Sequence, residues 1–378
     1  MTRSNEHASS SAPVPVTRVN IADREIGDGR PVYMIAEAGV NHDGDAARAH
    51  ALIDAAGSAG VDAVKFQLFS ADRLVGKETP ACAYQREHDT TVIHQHPMLK
   101  RLELPDGILP DLKRHAGDAG LDFLVTPFGL PEVIYLADEI RVPALKIASS
   151  DLINEPLLIR AARSGLPIII STGAGILEEI DRAVACVRKH GRANRLILLH
   201  CVSSYPTRPE AARLRCIATL KHRYQVPVGF SDHTREPTTG GFAVMAGAVI
   251  LEKHLTLDRR NAGPDHFFSL EPDSFADYVK AVRAAERMRG DGRIEYAPEE
   301  SEVRERARGR VVTARAVAAG DRLTEDTLMI QRPGDGIPPT QWAKIIGRVA
   351  NRDLPANTPL DWSLLDPPHP PLDAPIVS

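Results

Sequence analysis

Two histidines fall where they could work together. Gly229-Phe230-Ser231-Asp232-His233-Thr234 closes one apolar run, and Leu251-Glu252-Lys253-His254 closes the next. Each run reads as a short buried strand, Pro227-Val228-Gly229-Phe230 and then Ala248-Val249-Ile250-Leu251, with a histidine at its C-terminal end. If the two strands are parallel neighbours, His233 and His254 meet, flanked by Asp232, Glu252 and Lys253. Two imidazoles beside carboxylates suit a divalent metal ion. Such an ion would polarise a carbonyl oxygen as a Lewis acid. Either histidine alone reads as an ordinary loop residue. The pair gains weight because similar polar ends recur along the chain.

Apolar runs with polar C-terminal ends occur at Val32–Val40, Ala63–Phe69, Asp122–Phe128, Ala144–Ser149, Ile168–Gly173, Arg195–Ser203, Pro227–His233 and Ala248–Leu255. Stretches of helical periodicity lie between most of them: Ala46–Ser58, Pro156–Arg163, Leu177–Lys189 and Ala211–His222. Strand and helix alternating eight times predict a parallel α/β architecture. Eight repeats in roughly 250 residues suit a closed (β/α)8 TIM barrel, whose chemistry sits at the strand C-termini. Those ends carry Glu37, Lys65 with Gln67, Thr126, Lys146 with Ser149, Ser171, Ser203 with Tyr205, Ser231 with His233, and Glu252 with His254. A doubly wound open sheet is the alternative, but no Gly-x-Gly-x-x-Gly follows the first strand.

Composition fits a soluble enzyme. The chain has 378 residues, 43% hydrophobic and 25% charged, with a formal net charge of −4. It is neither basic enough for nucleic acid nor patterned for a membrane surface. It lacks an apolar run of transmembrane length. The tail, residues 1–18, is Ser-, Ala- and Pro-rich without the apolar core of a signal peptide, and reads as disordered. Cys82, Cys186, Cys201 and Cys216 show no C-x-x-C spacing and read as reduced thiols of a cytoplasmic protein.

The barrel is expected over residues 19–289. Residues 290–308, charged and interrupted by Gly and Pro, read as a linker. Residues 309–378 carry many turn signals and short strands, which predicts a small β-rich module. A module of that size needs support from another domain or subunit.

Taken together, Ala36-Glu37-Ala38-Gly39-Val40-Asn41-His42-Asp43-Gly44-Asp45, Val64-Lys65-Phe66-Gln67, Lys146-Ile147-Ala148-Ser149, Ser171-Thr172-Gly173, His200-Cys201, Tyr205-Pro206-Thr207, Ser231-Asp232-His233-Thr234, Glu252-Lys253-His254 and Gly263-Pro264-Asp265-His266 resemble the sialic acid synthase family. The segment Gln331-Arg332-Pro333-Gly334 is similar to that family's appended antifreeze-like (SAF) domain. The resemblance runs over about residues 19–365, in the same order and spacing. It implies a transferase that condenses phosphoenolpyruvate with N-acetylmannosamine or a related aldose, releasing phosphate and a 3-deoxy-2-keto sugar acid.

The residues supply what that chemistry requires. Phosphoenolpyruvate is a small trianion, so its site needs cations and oriented donors. Lys65 and Lys146 supply the cations at strand ends, and the resemblance places the substrate on Lys146, Ser149, Ser171, Ser231 and Ser203, with Ser203 standing where the best-known members have asparagine. It implies manganese on His233 and His254, with magnesium or cobalt as alternatives; imidazole chemistry alone would also allow zinc, iron or nickel. Glu37 and Glu252 are the candidates to position or deprotonate water, with Lys65 beside them. Sugar contacts fall on Gln67, Asp151, Tyr205, Asp265 and Arg332. Asp151 replaces the family's glutamate with a shorter acid. That change leaves open legionaminic-, pseudaminic- or other nonulosonic-type products, or a sugar acid of secondary metabolism. The resemblance also implies a domain-swapped homodimer in which Arg332 reaches the other subunit's sugar site.

Asn41-His42-Asp43-Gly44-Asp45 has the look of a calcium-loop fragment but lacks the remaining ligands. It reads instead as the turn into the first helix, with Asp45 as its N-cap. Two readings from other classes are a barrel that binds without catalysis and a metal-dependent aldolase that works without phosphoenolpyruvate.

Overall fold

Eight apolar runs pair edge to edge in chain order and close on themselves. The computed structural model describes residues 18–88, 92–332 and 335–366. A hairpin comes first, β1 (Arg18–Ile21) with β2 (Arg24–Gly27). The barrel strands follow: β3 (Tyr33–Gly39), β4 (Ala63–Leu68), β5 (Asp122–Pro127), β6 (Leu145–Ile147), β7 (Ile168–Ser171), β8 (Leu196–Cys201), β9 (Val228–Asp232) and β10 (Ile250–His254). All are parallel, and β10 bonds to β3 to complete the circle. Each expected strand is present, trimmed at its ends.

Helices wrap the outside: α1 (Ala46–Ala59), then α2 (Ala71–Leu74), α3 (Ala83–His88) and α4 (Gln95–Arg101) in an insertion, then α5 (Leu109–Asp118), α6 (Leu130–Ile134), α7 (Glu155–Arg163), α8 (Leu177–His190), α9 (Arg215–Tyr224), α10 (Thr239–Met245) and α11 (Pro272–Met288). The main core lies between strands and helices. Its members include Leu52, Ile53, Val64, Phe66, Leu198 and Phe275. A second cluster fills the barrel, where Val19, Ile21 and Ile26 of the hairpin pack with Tyr33, Leu124, Ile197 and Ile250. The hairpin was not anticipated, because two four-residue strands offer too little alternation to detect.

Local rules explain the element ends. Asp45 caps α1, its carboxylate accepting from Arg48 N at 2.8 Å. Gly60 ends the helix at φ 78°, a left-handed conformation that glycine adopts without strain. The helix expected over Ala211–His222 starts only at Arg215, a correction. Arg213 stands at φ 46° behind a 3-10 turn, Pro209–Ala211, so the helical path breaks there.

The chain divides into two compact units between Asp291 and Gly292. Within the second lies α12 (Ser301–Ala307), inside the stretch expected to be plain linker. The charges that suggested a linker instead pair along a helix face, with Glu302 and Arg306 at 3.3 Å. The rest of this unit is β-rich: β11 (Arg310–Thr313) against β12 (Leu328–Gln331), and β13 (Val349–Ala350) against β14 (Leu365–Asp366). Its core gathers Val311, Val317, Leu323, Leu354 and Leu360. Arg332 follows β12 and is exposed. The turn expected at Pro333 and Gly334, the N-terminal tail 1–17 and the last residues 367–378 lie outside the described residues. Among the described residues, no helix is long and apolar enough to cross a membrane.

Candidate active site

Register brings four charges together inside the barrel. Glu37 on β3 stands across from Lys65 on β4. Their side chains meet at 2.6 Å, both essentially buried. Lys65 Nζ also donates to Thr126 Oγ1 at 2.9 Å and lies 3.6 Å from Glu252 on β10. Lys146 on β6 reaches the other oxygen of Glu252 at 3.4 Å, which also accepts from Ser231 Oγ at 2.9 Å. A chain of alternating charge results: Glu37, Lys65, Glu252, Lys146. Charges this deep persist only when paired.

The two carboxylates are pushed apart. Burial raises the Glu37 carboxyl, and Lys65 does not fully offset it. Burial acts on Glu252 in the same direction, but Lys146 and then Lys65 outweigh it and pull it down to about 2. Glu252 is therefore the fixed anion, and Glu37 the one poised to exchange a proton. Burial, with Lys65 nearby, lowers Lys146. It thus gains most from an arriving anion.

Above this floor opens a cavity of about 960 Å³ at the C-terminal ends of the strands. One side is built for an anion. Ser149, Ser203 and Cys201 surround Gly173, and a methyl group there would overlap Ser203 Oγ and come within 2.8 Å of Ser149 Oγ. The missing side chain lets the hydroxyls of Ser149 and Ser203 close on the Gly173 backbone, and all three residues line the cavity. Gly173 N donates to Ser149 Oγ at 2.9 Å. Ser171 Oγ is buried without a partner, an orphan that a bound oxyanion would satisfy. Ser203 lines the cavity beside Gly173.

Neighbouring strands β9 and β10 bring the two histidines together, ring centroids 5.4 Å apart. His233 Nδ1 bonds to the Val202 carbonyl at 2.9 Å. A carbonyl only accepts, so Nδ1 carries the proton and Nε2 keeps a lone pair, the arrangement of a metal-binding imidazole. Burial resists charge on His233, but Cys201 and the Val202 carbonyl outweigh it and push the imidazole up. His254 is held well below the usual imidazole range by burial and then by His233, so it stays neutral. Its Nδ1 is buried, has no hydrogen-bond partner and lies 3.6 Å from Asp265 Oδ2. Among the described residues, no three His, Cys, Asp or Glu side chains converge as in a closed metal cage. The donor set fits an open site, two imidazoles with the other positions left to water or substrate.

The opposite side of the cavity suits a sugar. Gln67 Nε2 donates to Glu37 Oε1 at 3.0 Å. Both crowd Gly39, whose φ of 54° carries the β3 bulge past Asp265. Burial, and then Glu37, push Asp265 up to about 7. Tyr205 packs on His233 at 4.4 Å and on Tyr84 at 5.1 Å. Tyr84, Gln85 and Gln95 come from the insertion between β4 and α5 and were missed by sequence reasoning. Nothing in a local pattern says which residues of an insertion face the cavity. Thr126 and Gly173 were visible as strand ends, but their roles appear only with their neighbours.

Two expected residues of the barrel unit are not on the cavity wall. Asp151 sits in a 3-10 turn, its carboxylate accepting from Asn154 Nδ2 at 2.8 Å, and Ser150 lines the cavity instead. Asp151 is one methylene short and its oxygen is used within its own turn. Glu252 lies beneath the wall, reaching the cavity through the two lysines. His42 is buried against Phe66 and accepts from Gly44 N at 3.0 Å, away from the cavity. Arg332 belongs to the second compact unit.

Comparison with known proteins adds to this geometry. Residues 52–294 match the NeuB family and residues 310–366 the SAF domain. The chain is 36% identical to an N,N'-diacetyllegionaminic acid synthase of Legionella pneumophila, over 90% of this chain and 96% of that one. It is 31% identical to the N-acetylneuraminate-9-phosphate synthase of Homo sapiens, over 86% of this chain and 90% of that one. A crystal structure of N-acetylneuraminic acid synthetase from Leptospira borgpetersenii, in complex with citrate, superposes with a TM-score of 0.69 at 36% identity, covering 77% of this chain and 96% of that one.

Proposed function

The chain belongs to the NeuB family of nonulosonic acid synthases, and on that premise we propose that it condenses phosphoenolpyruvate with an aldose to give a 3-deoxy-2-keto sugar acid and phosphate. The observation that carries the reading is the set of anion-binding groups on one side of the cavity: two buried lysines, the hydroxyls of Ser149 and Ser203 gathered at Gly173, and the orphan hydroxyl of Ser171. The phosphate meets the hydroxyls, and Lys65 and Lys146 face the rest of the trianion. The relatives named above make different acids, so the aldose is set by the rest of the cavity.

Carbon 3 of the enol attacks the aldehyde carbon, whose oxygen takes up a proton; water then adds at carbon 2, and the resulting tetrahedral centre collapses to the ketone as phosphate leaves with the bridging oxygen. Glu37, the carboxylate of raised affinity for protons, holds that water and takes its proton. Glu252 stays ionised and keeps both lysines in place. When bound by His233 and His254, a divalent ion supplies polarisation of the aldehyde oxygen. Manganese is our proposal for that ion. Asp265, Gln67 and Tyr205 face the sugar.

Phosphoenolpyruvate labelled with oxygen-18 in its bridging position tests the reaction. The label is expected in the released phosphate, because the carbon–oxygen bond breaks. Label kept in the keto acid would mean phosphorus–oxygen cleavage and another reaction. No phosphate release with any aldose would favour a binding protein or an aldolase.

We extend the proposal to a domain-swapped homodimer in which Arg332 of one protomer enters the other's cavity. Its exposure supports this, since none of the described residues of its own unit buries it. Mixing Arg332→Ala with His233→Ala protein is expected to restore part of the activity, because one hybrid site then holds both groups. A fully active monomer, or an unchanged sugar KM in Arg332→Ala, would refute it.

A further inference from the structure

Two histidines and two aspartates meet where α1 lies beside α5, among the helices that wrap the barrel. His50 and Asp54 are four residues apart on α1, and Asp111 and His115 four residues apart on α5, so each pair shares one helix face. The two helices pair crosswise. His50 Nε2 lies 2.9 Å from Asp111 Oδ2, and His115 Nε2 lies 2.8 Å from Asp54 Oδ1. The ring centroids stand 4.8 Å apart, and the two Nδ1 atoms between them approach to 2.6 Å. None of the four residues lines the cavity.

These pairings fix where each ring keeps its hydrogen. An ionised carboxylate only accepts, so both Nε2 atoms donate. A neutral imidazole with its hydrogen on Nε2 has its lone pair on Nδ1. The two lone pairs then face one another across a short gap, and they repel unless a cation stands between them. Asp111 is held in place from its other side, where Oδ1 pairs with Arg114. A carboxylate behind each ring is the arrangement that orients an imidazole toward a metal ion and raises its basicity. The His50 and His115 side chains are 28% and 26% exposed, so an ion can reach them and the rings have room to part. Two nitrogens bound tetrahedrally at about 2.0 Å stand roughly 3.3 Å from each other, so the gap need open by only about 0.7 Å.

We infer that His50 and His115 form a second metal site, for a divalent ion of the zinc, cobalt, nickel or copper class, held by the two Nδ1 atoms and oriented by Asp54 and Asp111. Imidazole suits these ions, whereas magnesium and calcium favour oxygen ligands. Among the described residues no third His, Cys, Asp or Glu side chain converges there, so water completes the coordination and the ion is exchangeable. The ion ties α1, which joins β3 to β4, to α5, which follows the insertion and leads into β5. An ion that binds the folded chain and finds no such pair in the unfolded one adds to stability. The site is separate from the chemistry at the strand ends and does not depend on it.

The test titrates zinc chloride into full-length protein stripped with chelator, in a His254→Ala background that takes away the histidine pair of the cavity. This protein is expected to bind one equivalent of zinc more than the same protein carrying His50→Ala and His115→Ala. Zinc at a hundredfold excess over its dissociation constant should also raise the unfolding midpoint by about 5 °C, a rise absent without the two histidines. Calcium chloride should do neither. Asp54→Asn in the same background keeps both imidazoles and changes an exposed side chain, so it decides the matter even where the double histidine variant folds poorly. Its zinc affinity should be lower by about 10-fold or more, the scale for losing an outer carboxylate. Equal zinc uptake with and without the two histidines would overturn the inference and leave a shared proton as the only cation between the rings. An affinity untouched by Asp54→Asn, or calcium bound as tightly as zinc, would overturn it too.

Discussion

Replacing either His233 or His254 by alanine is expected to abolish turnover while leaving the fold standing. Both rings face an open cavity, so truncation enlarges existing space and does not hollow the core. The main apolar cluster between strands and helices contains neither residue. What is lost is one of only two imidazoles. A site that depends on two protein nitrogens has no reserve, and no third His, Cys, Asp or Glu converges there among the described residues. Losing several kcal/mol of charge stabilisation corresponds to a rate lower by about 10³-fold or more. Metal analysis should show the ion gone, while circular dichroism and the unfolding midpoint stay near wild type. Full activity of the wild-type enzyme in excess chelator would remove the metal from the mechanism.

The barrel was legible because its signal is redundant. Eight apolar runs, each ending in polar residues, cannot easily be arranged otherwise, and a parallel strand buried on both faces reads as a continuous run. The meeting of His233 with His254 followed from adjacency alone, since β9 and β10 are consecutive in the chain and in the sheet. Other contacts depended on distances that no pattern encodes. Glu252 touches both Lys65 and Lys146 because it lies beneath the mouth, whereas its neighbour His254 lines it. Asp151 was placed by analogy with a longer acid, yet a turn three residues long captures its oxygen for Asn154. The insertion after β4 is the clearest limit. Its helices are short, its apolar residues are spaced like any small core, and only the folded chain reveals that Tyr84, Gln85 and Leu99 wall a cavity built mainly by other elements.

The opposed shifts of Glu37 and Glu252 support the roles proposed for them, which the sequence left open. Both are buried carboxylates near the same lysine. Glu252 has two lysines and the Ser231 hydroxyl, and Glu37 has one lysine and an amide. The richer partner set fixes Glu252 as an anion. The poorer one leaves Glu37 free to trade protons with a water in the cavity, which it lines and Glu252 does not.

Lys65 is the single group whose loss should be felt most widely. It is the shared cation of Glu37 at 2.6 Å and Glu252 at 3.6 Å, and it holds Thr126 at 2.9 Å. Lys65→Met keeps the length and removes the charge, leaving two buried carboxylates with less compensation. Breaking such a pair typically costs about 3 to 5 kcal/mol. The barrel should therefore unfold roughly 10 °C lower at neutral pH. Glu37 can relieve the strain by binding a proton, since burial already raises it and Lys65 no longer opposes that shift. A carboxyl raised in the folded state gives stability that is present at low pH and fades as pH rises through its folded value. The gap between variant and wild type should thus narrow from pH 8 to pH 5. Adding Glu37→Gln to Lys65→Met should recover much of the stability, because the unpaired charge is gone. Turnover should stay lost in both, since the proposed phosphoenolpyruvate site is missing a cation and, in the double variant, the proposed proton acceptor too. Thermal unfolding at the two pH values and phosphate release measure these effects separately. A double variant that regained turnover along with stability would show Lys65 to be scaffolding only, and a Lys65→Met protein as stable at pH 8 as wild type would remove the charge chain as an account of this floor.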